Sequence, residues 1–195
     1  MSAFKQPSHH YSIEQYFDLL TSSQRKYEYH DGKVTMMAGG KRAHNKAKRN
    51  LFSAIEAGRG DCHLYDSDTA IFIEAANRYY FPDIAGLCGE EQWSDEGGIE
   101  RIFNPTLIIE VLSSSSTIYD TGEEFAMYRK LPSLKEYITV DSRAVLVSTY
   151  YRRDNGDWQI GSYYNLDQEV EIQTFGLHVP LSLIYDGVDF DEEER

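Results

Sequence analysis

Cysteine is scarce in this 195-residue chain, which carries only Cys62 and Cys88. Two thiols in a chain of this size make neither a disulfide framework nor a CxxC metal site, so a reducing compartment is the simpler expectation. Long apolar runs are missing too. None approaches the ~20 residues of a membrane span, and the N-terminal MSAFKQPSHHYSIEQ has no apolar core of the kind a secretory leader needs. The expected address is cytoplasmic, without membrane partners. Positive charge is also in short supply. Against 32 Asp and Glu stand 19 Lys and Arg, a net charge of −13 that argues against a general polyanion binder. No internal repeat and no long linker divides the chain.

What is present is a globular composition, 41% hydrophobic and 13% aromatic. The length suits one domain, expected over 1–188, followed by the acidic tail DFDEEER (189–195), a solvated end. The scarce basic residues are unevenly spread. KRAHNKAKR (41–49) holds five of the 19, and it is the one place where a phosphate backbone could settle.

Local patterns predict an ordered series of elements. SIEQYFDLL (12–20) pairs Ser12 with Gln15 as a capping box ahead of a helical apolar stripe. YEYHDGKVTMM (27–37) reads as a hairpin turning at Asp31-Gly32. From 41 to 57, Ala43, Ala47, Leu51, Ala54 and Ile55 share one helical face, and Lys46, Arg49 and their neighbours occupy the other. Residues 62–74 and 79–89 read as two strands, 89–104 as an exposed loop, and 104–113 as a strand. A helix is predicted over 121–131, stopped by Pro132, then a strand over 136–141 and a hairpin around Asn155-Gly156. The expected fold is α/β or α+β, a mixed sheet with helices packed on it. Most of the 15 tyrosines fall at strand positions, where packing accounts for them.

NPTLIIEVLSSSS (104–116) is the informative stretch. Leu107, Ile108, Ile109 and Val111 surround one carboxylate, Glu110, and alternation puts it on the face of Ile108 and Leu112. An acid held among such residues needs a cation, a strong donor or a proton, because burying it unpaired costs several kcal/mol. Asp83, directly after Pro82, stands in a similar position before another apolar run. Either acid alone is explained by a salt bridge. Two acids on neighbouring strands point to a hard cation, since Mg²⁺ is typically held by one or two carboxylates plus substrate phosphates. The serine run reads as a polar strand-to-helix loop.

These blocks, in order, resemble a bacterial family of restriction-endonuclease type within the PD-(D/E)XK nuclease superfamily. The resemblance runs from about Tyr11 to Tyr185. It rests on YEYHDG (27–32), KRAHNKAKRNL (41–51), the SD of YDSDTAIFI (65–73), YFPDIAGLCGE (80–90), NPTLIIEVLS (104–113), the long block 116–141 and NGDW (155–158). It implies a restriction-endonuclease-like core, a central mixed β-sheet flanked by helices, here with an added β-hairpin. It implies Mg²⁺ (or Mn²⁺) held by Asp83, Glu110 and the carbonyl of Val111, with Glu28 and His44 bordering the same cleft and Asp68 and Asp120 also matched. The activity implied is metal-dependent endonucleolytic hydrolysis of DNA. As the one dense positive patch of an acidic chain, Lys41, Arg42, Lys46 and Arg49 are expected on the DNA backbone. Homodimers are common in the superfamily, so a homodimer is compatible with the resemblance.

One departure stands out. The superfamily normally has lysine two residues after the acid, where this chain has Leu112. The related family usually carries it on the following helix, in a stretch like DxGEKF, where this chain reads DTGEEF (120–125) with Glu124. Lys130 is about 240° further round a helix and does not face the same way. The alternative implied is a catalytically impaired relative that binds nucleic acid or a protein partner through the same cleft. Otherwise Glu124 itself serves as a ligand or base.

Overall fold

The computed structural model describes residues 10–37, 39–96, 98–113 and 118–190. The first helix, α1 (Ile13–Ser22), begins at the expected capping box, with Ser12 and Gln15 satisfying each other's backbone N–H groups. The hairpin of β1 (Tyr27–His30) and β2 (Lys33–Met36) turns at Asp31 and Gly32, both at positive φ (48° and 89°). That geometry is costly for most residues and easy for Asp-Gly. Helix α2 (Arg42–Gly58) buries Ala43, Ala47, Leu51 and Ile55, the stripe its spacing predicts.

The stretch 62–89 departs from the sequence reading. Its two predicted strands each divide in two, giving β3 (His63–Asp66), β4 (Ala70–Ile73), β5 (Arg78–Tyr80) and β6 (Ile84–Leu87). A turn in which Asp66 accepts from the N–H groups of Asp68 and Thr69 breaks the first run, and Pro82 lies in the break of the second. The pieces then go to different sheets. Residues 89–104, expected as a loop, contain a hairpin of β7 (Trp93–Glu96) and β8 (Ile99–Ile102). Its acidic outer residues mask a short alternation that buries Ile102.

The central strand, β9 (Leu107–Leu112), is followed by α3 (Ile118–Tyr128), three residues earlier than expected, and by β10 (Glu136–Asp141). The hairpin β11 (Val147–Arg152) and β12 (Trp158–Tyr163) turns at Gly156, φ 88°. A last hairpin, β13 (Glu169–Ile172) and β14 (Leu177–Pro180), and the short α4 (Leu181–Ile184) were not read from the sequence.

The architecture is mixed α+β, as expected, but in place of one central sheet twelve strands form two sheets of six, and β13 and β14 pair apart. One runs β2-β1-β5-β4-β8-β7 and the other β12-β11-β10-β9-β6-β3. Each has a single parallel pair, β4 with β8 and β9 with β10. On one face of the second sheet, Leu107, Ile109 and Val111 of β9 pack with Leu51 and Ile55 of α2. On the other, Ile108 joins Tyr128 of α3, Tyr137 of β10 and Ile71, Ile73 and Tyr80 of the first sheet. Truncating a buried residue such as Leu51 to alanine would cost about 2–5 kcal/mol.

The two cysteines are joined as a Cys62–Cys88 disulfide. Antiparallel pairing of β3 with β6, His63 opposite Leu87, brings the flanking residues together, a proximity that a separation of 26 residues conceals. The bond removes the ground on which the cysteine count favoured a reducing compartment. No helix among the described residues is long and apolar enough to cross a membrane. Of the tail, 191–195 lie outside the described residues, as do Ser114–Ser116 of the serine run.

Candidate active site

Strand register builds the site. Strand β6 runs antiparallel to β9 with Ile84 opposite Ile109, so Asp83, one residue before β6, falls beside Glu110. The Asp83 N–H points at Glu110 Oε2 at 3.4 Å, and the Val111 N–H donates to Asp83 Oδ2 at 2.9 Å. Around this pair lies an open cleft of about 670 Å³ whose walls include Glu28 of β1, His44 and Lys48 of α2, and Glu124 of α3. Four carboxylates from four parts of the chain therefore share one recess.

The two central acids have opposite electrostatic surroundings. Burial opposes charge on Asp83, but it is outweighed: His44 Nε2 lies 2.9 Å from Oδ2, Val111 donates to the same oxygen, and Lys48 Nζ is 3.5 Å from Oδ1. Together these hold the Asp83 carboxyl below the usual carboxylate range. Burial pushes the Glu110 carboxyl well up, and the negative charges of Glu124, Asp83 and Glu28 push it further. Its Oε1 accepts from the Tyr128 hydroxyl at 3.1 Å. Asp83 has its counter-charges; Glu110 has like charges for neighbours.

His44 contacts the site, and its tautomer follows from its partner. A carboxylate only accepts, so Nε2 carries the proton facing Asp83. Nδ1 is then buried without a hydrogen-bond partner. A side chain at position 40 would place its Cβ 2.5 Å from that nitrogen, so Gly40 gives the imidazole its room. At Glu28, Oε2 lies 3.3 Å from His30 Nε2. Asp68 sits outside this group, paired with Lys26. The side chain of Asp120 lies outside the described residues.

The proposed backbone contacts are placed differently. Arg42, Lys46 and Arg49 line a second recess of about 570 Å³ together with Asn45 and Gly187, whereas Lys41 is the N-cap residue of α2. Asn45 borders both recesses. Asn50 holds the far wall in place by donating to the carbonyls of Ile184 and Asp186.

Two site residues escaped the sequence reading. Lys48 is four positions after His44, hence on the same helical face, a spacing that would have revealed it. Tyr128 stands in the same relation to Glu124 on α3.

The donor set can be tested against a divalent cation. Among the described residues no group of three or more His, Cys, Asp or Glu side chains is arranged to hold a metal, so there is no all-protein cage. A raised carboxyl at Glu110, crowded by three others, is the charge imbalance that a hard cation relieves. Such an ion needs only one or two carboxylates when water and phosphate oxygens complete its shell. The residues fit a cation bound in that way.

A mixed sheet that brings a Pro-Asp and a strand glutamate together, flanked by helices that close a polar cleft, defines a nuclease-like α+β protein. The chain belongs to the Uma2 family, described as "Putative restriction endonuclease", whose model matches residues 13–182. It is 33% identical over 181 residues to the uncharacterized protein slr1290 of Synechocystis sp., covering 92% of this chain and 93% of that one. A second uncharacterized protein of the same organism, sll1609, is 27% identical over 159 residues, 80% of this chain and 89% of the other. The fold is also similar to the crystal structure of a putative nuclease of the DUF820 group from Anabaena variabilis. The TM-score is 0.68 at 16% identity, covering 89% of this chain and 98% of that one.

Proposed function

We propose that the protein is a divalent-metal-dependent endonuclease that hydrolyses DNA phosphodiester bonds, with Asp83 and Glu110 as the metal-binding acids. The observation that carries this reading is the convergence of Glu28, Asp83, Glu110 and Glu124 on one open cleft. Structural acids usually end in salt bridges, whereas Glu110 is pushed toward the protonated state by burial and then by its acidic neighbours. A bound Mg²⁺ or Mn²⁺ would supply polarisation of the scissile phosphate and a lowered pKa for the attacking water.

The chain's own groups do the rest. His44 and the Val111 amide fix the orientation of the Asp83 carboxylate. Tyr128 orients Glu110. Arg42, Lys46 and Arg49 offer positive charge to phosphates flanking the one in the cleft, with Asn45 between. Local positive charge of this kind allows an acidic protein to take a polyanion on one face.

A specific observation favours a second reading, a relative that binds nucleic acid without cutting it. Glu124 adds negative charge beside Glu110, at the position where the resemblance calls for a lysine. One experiment separates the two. Plasmid and single-stranded DNA are incubated with Mg²⁺ or Mn²⁺ and wild type, Asp83→Ala or Glu110→Ala. Metal-dependent cleavage that falls by at least about 10²–10³-fold in both variants supports the endonuclease. Binding without cleavage supports the second reading. Calorimetry with Mn²⁺ that shows the same affinity in both variants would remove these acids from the metal site.

A further inference from the structure

Among the described residues that line the cleft, Lys48 is the lysine or arginine beside Asp83, and its contacts there are long. His44 is fixed at 2.9 Å from Asp83. Lys26 donates to the Ser67 carbonyl at 2.7 Å and pairs with Asp68. Arg25 lies at the exposed rim, where it donates to Met36 Sδ at 3.0 Å. Lys48 differs from all three. Its ammonium is 3.5 Å from Asp83 Oδ1 and 3.3 Å from Ser67 Oγ, both beyond the 2.7–2.9 Å typical of charge-assisted hydrogen bonds. An ammonium has three donors, and this one makes one long hydrogen bond and one long ion pair. It remains 24% exposed, on a wall of the cleft.

Placement adds to this. Leu112 follows Glu110 by two residues and offers no charge, and α3 presents Glu124. The permanent cation beside the Asp83–Glu110 pair therefore comes from α2, one turn beyond His44. A phosphate oxygen arriving beside Asp83 would be within reach of Lys48, which would give up only long contacts to meet it.

We propose that Lys48 is the substrate-contacting cation of this site, donating to an oxygen of the phosphate bound beside Asp83. It holds charge and transfers no proton. The inference rests on the nuclease reading above, and it names the residue that occupies the electrostatic role left open by Leu112 and Glu124. The lysine also explains how an acidic cleft can accept an anion. Its charge is present before any substrate arrives, in a site where a fixed cation acts strongly on developing negative charge.

The test is binding of a short DNA duplex in Ca²⁺, followed by anisotropy across a salt series. The proteins compared are wild type, Lys48→Arg, Lys48→Gln, Lys48→Met and the exposed-lysine control Lys33→Met. Loss of one phosphate contact should flatten the salt slope by about 0.9 in both neutral variants, whereas Lys48→Arg and Lys33→Met should keep it. Lys48→Gln keeps a neutral polar side chain and guards against a folding defect in Lys48→Met, with melting curves recorded for all. In Mg²⁺, the neutral variants should lose kcat by on the order of 10²-fold with a smaller change in KM. An unchanged salt slope in Lys48→Gln and Lys48→Met overturns the proposal and leaves Lys48 as a structural partner of Asp83. A Lys48-dependent slope without cleavage by wild type upholds the contact while refuting hydrolysis. No DNA binding by wild type overturns both.

Discussion

Two glutamates on the adjacent parallel strands β9 and β10 have met the same problem in opposite ways. Glu136, at the start of β10, is fully buried. It accepts from the N–H of Gln173 at 3.2 Å, the N–H of Thr174 at 2.9 Å and the Thr174 hydroxyl at 2.6 Å. Glu110, within β9, accepts from one hydroxyl and one distant amide, and faces three other carboxylates. Burial raises both carboxyls, but at Glu136 three donors work against the rise. The lesson is that a charged residue in an apolar strand is not by itself a site. The donors around it decide. Glu136 ties the β13–β14 turn to the sheet, and Glu110 is left among like charges.

Among the acids compared, the largest expected effect on stability lies at Glu136. Its replacement by alanine leaves three donors of residues 173 and 174 without their acceptor, and should destabilise the protein by about 2–3 kcal/mol in urea unfolding. A loss below about 0.5 kcal/mol would mean that water replaces the carboxylate and that the comparison is weaker than drawn.

Glu110→Gln should act in the other direction in metal-free protein at neutral pH, stabilising by on the order of 1 kcal/mol. The sign follows from linkage. A carboxyl whose folded pKa is raised stays protonated in the fold after the unfolded chain has released its proton. Its favourable contribution is complete below the unfolded value, near 4.5, and is lost as pH rises from there through the raised folded value. The stability gap between Glu110→Gln and wild type should therefore open with rising pH above that point. Mn²⁺ should raise the melting temperature of wild type but not of the variant. A destabilised Glu110→Gln would instead identify a satisfied structural acid like Glu136.

The smallest effect is expected at Glu124, whose charge adds to the raised carboxyl of Glu110. Glu124→Lys should increase Mg²⁺-dependent cleavage several-fold by replacing repulsion with attraction near the substrate phosphate. Glu124→Gln should increase it less. A fall in both variants would assign Glu124 to the cation as a ligand, and no change in either would remove it from the site's electrostatics.

Much of this was legible locally. The Ser12–Gln15 capping box, the Asp31-Gly32 turn, the buried stripe of α2 and the anomaly of Glu110 in an apolar strand all depend on residues within a few positions of one another. The reading failed where partners are distant. Residues 62–74 and 79–89 look like two strands because their apolar runs are continuous, yet β3 and β6 pair in one sheet and β4 and β5 in the other. The hairpin β7–β8 was hidden by its acidic outer face. The β13–β14 hairpin was missed at a polar segment whose anchor, Glu136, lies 37 residues before Gln173. The spacing from His44 puts Lys48 on the same helical face, but its 3.5 Å approach to Asp83 arises only when α2 packs against the sheet.

Neighbours along the chain suffice for the short-range facts: which segments cap, turn and present an apolar face, and which carboxylates stand where no charge is expected. Those outcomes follow from steric and hydrogen-bonding preferences that act within a turn of helix or a pair of residues. Long-range packing is what gathers Glu28, Asp83, Glu110 and Glu124 in one cleft and leaves Glu136 out of it. Strand register and helix packing set those distances between residues tens of positions apart. A carboxylate's charge state depends on donors and charges within a few ångströms of it, whatever their separation along the chain.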